Sequence, residues 1–142
     1  MNDCIFCEII AGQSPASVVY QDDLAVAFMD IQPVNTGHVL VIPREHATYL
    51  SDMAEETGAQ LFRVAMRVQE AIRRSGVRCE GINLFLADGE PAGQEVFHVH
   101  LHVFPRFKED TFKIDGDYSV FPPRQELDEV AGKIKGTMDD GR

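Results

Sequence analysis

Positive charge is scarce in this chain: 13 lysines and arginines stand against 23 aspartates and glutamates among 142 residues, for a formal net charge of −10. That balance works against counterion-release binding to a nucleic-acid backbone or an anionic bilayer, so neither a long nucleic acid nor a membrane is expected as partner. A single nucleotide is not excluded, because screening over ~8 Å lets a local cluster of donors outweigh distant charge. Long apolar runs are missing as well. No stretch approaches the ~18 residues of a membrane span, and Met1-Asn2-Asp3-Cys4 lacks the basic and apolar regions of a secretory signal, so a cytoplasmic location is expected. Cysteine is limited to Cys4, Cys7 and Cys79, which cannot all pair internally, and a chain of this length needs no disulfide framework. Reduced thiols or a metal site are the readings to weigh. Repeats and low-complexity tracts are absent, and 44% apolar with 25% charged residues is ordinary globular usage, which excludes disorder, collagen-like sequence and coiled coil. One core is expected, folding alone or as a small oligomer.

Apolar runs between Val18 and Phe28, broken by Gln21-Asp22-Asp23, predict a hairpin. After the turn-rich stretch 30–37, the β-branched run His38 to Pro43 predicts a third, interior strand. From Ser51 to Ser75 the period changes: Leu61, Val64, Val68 and Ile72 recur at helical spacing, Asp52 and Glu55 suggest a capping box, and Gly76 a stop. The other face carries Arg63, Arg67, Gln69, Glu70, Arg73 and Arg74 and reads as solvated rather than as a binding patch. Gly81 to Leu86 and Val96 to Phe104 predict two more strands, joined by the polar, glycine-bearing loop 87–95, whose amides can approach a ligand closely. Leu127, Val130 and Ile134 predict an amphipathic helix before a frayed end. Together these elements predict an α+β domain: a five-stranded, mainly antiparallel sheet with one long helix, short terminal helices, the helices on one side, and no Rossmann-type crevice.

The informative segment is His98-Val99-His100-Leu101-His102-Val103-Phe104. Its two-residue period sets three imidazoles on one side of a strand while Val99, Leu101 and Val103 face the other, toward the main helix. Three of the chain's five histidines in alternate positions beside a glycine-bearing loop read as a functional row rather than a half-exposed polar face. Imidazole can bind a metal, shuttle a proton or attack an electrophile, and spacing alone does not choose among these. A copper or non-haem iron site wants a carboxylate in the same cavity, and none is evident on this strand. A nucleophile wants anion-stabilising amides nearby, which Gly93-Gln94-Glu95 can supply, so phosphoryl chemistry fits better.

The row, taken with Cys4-Ile5-Phe6-Cys7, Phe28-Met29-Asp30-Ile31-Gln32-Pro33, Gly37-His38-Val39-Leu40-Val41-Ile42-Pro43, His46 and Ala92-Gly93-Gln94, resembles the histidine triad (HIT) family of nucleotide hydrolases and transferases, up to about Arg106. The resemblance implies attack by His100 on the α-phosphate of a purine nucleotide conjugate, a dinucleoside polyphosphate or a nucleoside phosphoramidate, through a nucleotidyl-histidine that water resolves. It places His102 at the scissile bridge as phosphate binder and proton donor, and makes His98 and His38 its neighbours in the imidazole cluster. A neutral nucleophile requires its other ring nitrogen to be held as a donor, by a strand carbonyl. Amides of Gly93, Gln94 and Glu95 are expected around the phosphate. The resemblance further implies a nucleoside slot of Ile5, Phe6, Ile9, Phe28 and Ile31 with Asp30 on the ribose hydroxyls; Phe6, Phe28 and Ile31 read equally well as core. Two positions depart from the common pattern. Ala87 stands where many relatives carry Asn or Gln, and Glu95 where Ser or Thr often contacts phosphate, so side-chain help is lost and the Glu95 carboxylate should point away from phosphate or disfavour it.

Cys4-x-x-Cys7 with His46 forms a second constellation. Two thiolates and an imidazole suit Zn²⁺ in a tetrahedron with bonds of ~2.0–2.3 Å. A redox Cys-x-x-Cys would want a βαβ unit after it, c-type haem attachment is excluded by Glu8 after Cys7, and a pair of buried free cysteines is the remaining alternative. Resemblance to a metal-bearing bacterial branch of the family implies His98 as the fourth ligand of a structural zinc. Cys79 reads as a free thiol. The resemblance also implies a homodimer with a continuous sheet, residues 1–106 as the HIT domain, and 107–142 as an extension packed on that domain or across the dimer. Two other readings stay in view: a non-catalytic nucleotide-binding sensor, and a zinc-bound interaction module on the same fold.

Overall fold

Valine, isoleucine and alanine dominate the central runs, and those runs form a five-stranded sheet in which every neighbouring pair is antiparallel. The computed structural model describes residues 3–138. In chain order the elements are α1 (Ile5–Ile10), β1 (Val18–Gln21), β2 (Ala25–Met29), β3 (Val39–Pro43), α2 (Glu55–Arg74), β4 (Gly81–Phe85), β5 (Leu101–Arg106) and α3 (Arg124–Lys135), with 3-10 turns at Leu50–Asp52 and Glu90–Ala92. The strands lie in the order β1-β2-β3-β5-β4, so the apolar β3 is interior, as its composition predicts. Residues 112–138 form a second unit around α3, in which every residue from Lys113 to Met138 is exposed and Leu127, Val130 and Ile134 share one stripe of the helix. No helix among the described residues is long and apolar enough to cross a membrane.

Strands β2 and β3 are buried on both pleats, so each face of the sheet needs its own cover. One face packs Ala25, Ala27, Val39, Val41, Val99 and Val103 against Leu61, Val64, Ala65, Val68 and Ile72 of α2. The other packs Val26, Phe28, Leu40 and Ile42 against Phe6 of α1. The two helices therefore take opposite faces, not the single side expected from the sequence, because a helix stripe can satisfy only one pleat. The short α1 covers the face that carries the histidines and leaves part of it open.

Two boundaries also differ from the sequence reading. The long helix begins at Glu55, with Ala54 as a cap that makes no side-chain bond, and the Asp52 carboxylate instead accepts from the Tyr49 amide at 3.1 Å to close the preceding 3-10 turn. The last strand begins at Leu101 rather than Val96. Upstream of it the Val99 amide donates to the Ala47 carbonyl at 2.8 Å, and this contact keeps the alternation going outside the regular ladder. Val99 thus stays on the α2 face and the histidines on the other.

Gly37 holds the entry to β3 at φ +103°, and a Cβ there would lie 2.9 Å from Val77 Cγ1 and 3.3 Å from Pro105 Cγ. Gly37→Ala is expected to destabilise the domain by about 1–3 kcal/mol, measured by urea denaturation, because it combines a strained backbone with a buried clash. The double variant Gly37→Ala/Val77→Ala should recover only the steric part; full recovery would show that backbone strain is not the cause.

Candidate functional site

The imidazoles on the open face are set by backbone atoms. His100 Nδ1–H donates to the His98 carbonyl at 2.8 Å, which leaves a lone pair on Nε2. Among the described residues nothing hydrogen-bonds that Nε2, and the ring is buried with its flank against the Phe6 ring, centroid to centroid 5.2 Å. At His38 the Val34 amide donates to Nδ1 at 2.9 Å, so in the neutral ring the proton sits on Nε2. That Nε2–H faces His102 Nδ1 at 2.9 Å and Asp30 Oδ2 at 3.4 Å. His102 therefore accepts on Nδ1 and carries its own proton on Nε2. The result is a lone-pair nitrogen at His100 beside an N–H at His102, with ring centroids 4.9 Å apart.

Burial keeps His38 and His102 uncharged. His102 is pushed down to about 4, first by burial and then by the neighbouring His100 and His38, with Asp30 opposing. His38 is lowered by burial, again against Asp30. Both are neutral at pH 7, so the cluster offers lone pairs and N–H dipoles rather than positive charge.

Asp30 Oδ1 accepts from the Gln32 amide at 2.8 Å, while Oδ2 is turned toward His38. Phe6, Phe28 and Ile9 pack together beside the histidines, the two phenyl rings edge to face at 5.5 Å. Ile5 is exposed, and Ile31 is 93% exposed, so these two take no part in that cluster's burial. Gln94 is buried and spends its side chain on structure: Oε1 accepts from the Gly89 amide at 2.7 Å, and Nε2 donates to the carbonyls of Thr48 at 2.8 Å and Val96 at 3.1 Å. The backbone amides of Gly93 and Gln94 are also committed, to the carbonyls of Glu90 and Gly89. Of the turn's three amides, that of Glu95 alone makes no hydrogen bond among the described residues.

Cys4, Cys7, His46 and His98 meet in one place, with their ligand atoms all within 4.8 Å of one another. Cys4 Sγ lies 3.2 Å and Cys7 Sγ 3.6 Å from His98 Nδ1; Cys7 Sγ lies 3.3 Å and His98 Nδ1 lies 3.1 Å from His46 Nδ1. A tetrahedron with zinc bonds of ~2.0–2.3 Å has edges of about 3.3–3.8 Å, so the four atoms are gathered nearly to coordination distance. His98 Nε2–H donates to the Pro43 carbonyl at 2.9 Å, which turns the Nδ1 lone pair toward the thiols, as a metal ligand requires. Asp30, His38 and His102 also lie close enough to hold a cation. They are poorly suited to it, because a metal on His38 Nε2 would move the ring proton to Nδ1, against the Val34 N–H. Sequence reasoning missed the Val34 amide, the Pro43 carbonyl and Thr48 Oγ1, which sits 3.3 Å from His46 Nε2. Backbone atoms carry no residue-type signature.

Depressed histidines make the fold sensitive to acid in a definite window. Between about 4 and the ordinary 6.5, the unfolded chain binds a proton at His102 that the folded chain does not. Stability is therefore full above about pH 6.5 and falls as the pH drops toward 4. The melting temperature should decline across that window, and His102→Asn should flatten the decline. Equal slopes in the two proteins would remove His102 as the cause. Asp22 does not confuse the result. Burial raises its value, but hydrogen bonds from Leu24, Gln60, Tyr20 and Ala25 hold it down to about 2, so it titrates below the window.

Residues 11–109 match the family described as HIT domain. A HIT-like protein of Borreliella burgdorferi is 47% identical over 113 residues, covering 79% of this chain and 81% of its own. An adenylylsulfatase of Arabidopsis thaliana is 35% identical over 109 residues, covering 77% of this chain and 55% of its own. Among solved structures, a HIT family protein of Bacillus subtilis superposes with a TM-score of 0.90 at 33% identity, over 99% of this chain and 100% of that one. A Zn-bound histidine triad family protein of Mycobacterium smegmatis does so with a TM-score of 0.75 at 36% identity, over 96% of this chain and 98% of that one. The matched stretch runs from before β1 to beyond β5 and contains the whole histidine row, so the chain belongs to the HIT family.

Proposed function

We propose that this protein is a hydrolase or nucleotidyl transferase acting on the α-phosphate of a nucleotide conjugate through a covalent nucleotidyl-His100. The observation that carries this reading is the uncommitted lone pair on His100 Nε2, fixed by the His98 carbonyl and set beside the His102 ring. In the proposed reaction Nε2 attacks phosphorus, the P–N bond forms, and the bond to the leaving oxygen or nitrogen breaks. His102 is neutral, so its role is to hydrogen-bond the departing atom. A phosphate leaves as the anion, and an amine takes its proton from water. Water then attacks the same phosphorus, gives its proton to solvent and frees His100 with release of the nucleoside monophosphate. The uncommitted Glu95 amide is the donor for a nonbridging oxygen, Asp30 accepts from the ribose, and Phe6 with Ile9 borders the base. The kinship with an adenylylsulfatase supports a hydrolase reading.

His100→Gln is expected to lower turnover about 10⁴-fold or more while leaving adenosine monophosphate binding within a few-fold, read on a panel of adenosine phosphoramidates and dinucleoside polyphosphates with calorimetry alongside. Tight monophosphate binding with no wild-type turnover on any member of the panel would select the sensor reading instead. Zinc without nucleotide affinity would select the interaction module.

Cys4, Cys7, His46 and His98 are proposed to hold a structural zinc, which when bound would tie α1 to the segment before β5 and leave no open coordination position. Metal analysis of the purified protein should give about one zinc per chain. Cys7→Ser should lose most of it and melt at lower temperature, and a metal-free wild type with unchanged melting would refute the assignment.

A further inference from the structure

On the face away from the histidines, a cavity of about 410 Å³ opens between α2 and the strands β1 to β3. Val19, Met29, Val39, Val68, Ile72 and Val77 wall it, so its interior is hydrocarbon. Two backbone features make the room. The β1–β2 ladder shifts register between Val18 and Tyr20, which bends the edge strand, and Gly37 lets Val77 close in on it where any side chain would collide. The volume falls in the range of about 300–1,000 Å³ that small-molecule sites occupy.

The polar side chains at this cavity are already spent, with one exception. Ser75 Oγ donates to the Ile72 carbonyl and accepts from the Val77 amide. Tyr20 Oη donates to Asp22 Oδ2 at 2.8 Å. Asp22 is itself saturated, with Oδ1 taking the Leu24 and Ala25 amides and Oδ2 taking Tyr20 and Gln60. Arg67 remains. Its guanidinium lies over the Tyr20 ring, 5.9 Å from the centroid, and Nη1 donates to Tyr20 Oη at 3.1 Å. Among the described residues no carboxylate pairs with it, since the nearby helix acid Glu70 is bridged by Arg74. A guanidinium has five N–H donors in a planar fork that fits a carboxylate. In a chain of net charge −10, a cation without an acidic partner at the edge of an apolar cavity is charge-complementary to one kind of occupant.

We propose that this cavity binds an apolar monocarboxylate, a medium-chain acyl acid whose tail lies between α2 and β1 and whose carboxylate is held by Arg67. A nucleotide does not fit the same description. Apart from Arg67, its base and sugar would find no uncommitted side-chain donors or acceptors on these walls, and its phosphate would meet a single cation. The site is separate from the histidine face, so this proposal stands or falls independently of the reaction assigned to His100.

The test uses the full-length protein with decanoate, and with decanol and decyltrimethylammonium as probes of equal tail and different head. Decanoate is expected to bind saturably, to shift the methyl resonances of Val39, Val68 and Ile72, and to resist displacement by adenosine monophosphate. Arg67→Glu and Ala71→Phe both sit at exposed helix positions that line the cavity. The first should weaken decanoate about tenfold or more while sparing decanol, and the second should block both, with helicity unchanged by circular dichroism. Equal binding of all three probes would reduce the site to nonspecific partition and overturn the proposal. So would the absence of saturation, or indifference to Ala71→Phe. If the same methyls shift on dilution in step with a monomer–dimer equilibrium by sedimentation, the occupant is a second copy of the chain and the acyl assignment fails.

Discussion

One carbonyl fixes the tautomer of the His100 ring. His98 O accepts from His100 Nδ1–H, and without that bond the ring could place its proton on either nitrogen, so Nε2 would lose its lone pair in a fraction of molecules. The same residue turns its side chain the other way, toward Cys4 and Cys7, with Nε2–H held by the Pro43 carbonyl. Backbone and side chain of one histidine thereby join two sites. Anything that stiffens the sulfur cluster bears on the carbonyl that orients His100, because the ring and the carbonyl of His98 are joined through Cβ and Cα alone.

The sheet divides its labour between its faces. The α2 face is packed by small and branched side chains and supplies the burial that holds the strands in register. Among the described residues the opposite face is capped by the six-residue α1, which is too short to cover all of it, and the imidazoles lie on that face. Burial from one helix and access beneath a shorter one are consequences of the same two-sided apolar pattern in β2 and β3.

Much of this was legible in the sequence. The strands, the long helix and the row His98, His100, His102 follow from periods of two and 3.6 residues, which side-chain type reports directly, and the lack of βαβ alternation points to a mainly antiparallel sheet. The gathering of Cys4, Cys7, His46 and His98 could be guessed only by resemblance, since no local period links residues so far apart. The hydrogen-bond partners were invisible: Val34 N, Pro43 O and Ala47 O are main-chain atoms, and any residue type offers the same ones. The helix boundary failed for a related reason. Asp52 has the composition of a cap, but its carboxylate takes the Tyr49 amide and closes the local 3-10 turn before the helix instead. The loop 87–95 misled in a third way. Its glycines suggested open amides, yet the turn folds back on itself and spends those of Gly93 and Gln94 internally.

Why one chain can use the same side chain for different ends follows from which ring nitrogen the backbone engages. At His98 a carbonyl takes Nε2–H, so Nδ1 presents its lone pair to two thiols, as the proposed metal site requires. At His100 a carbonyl takes Nδ1–H, so the lone pair emerges on Nε2, at the far end of the ring and into the open face. At His38 an amide gives to Nδ1, so Nε2 is an N–H, fit to orient His102 and unfit to bind a cation although a carboxylate lies 3.4 Å away. Proximity of histidines and aspartate would suggest two metal sites; the proton count permits one. The difference lies in which ring nitrogen the main chain engages and in whether the engaging group is a donor or an acceptor.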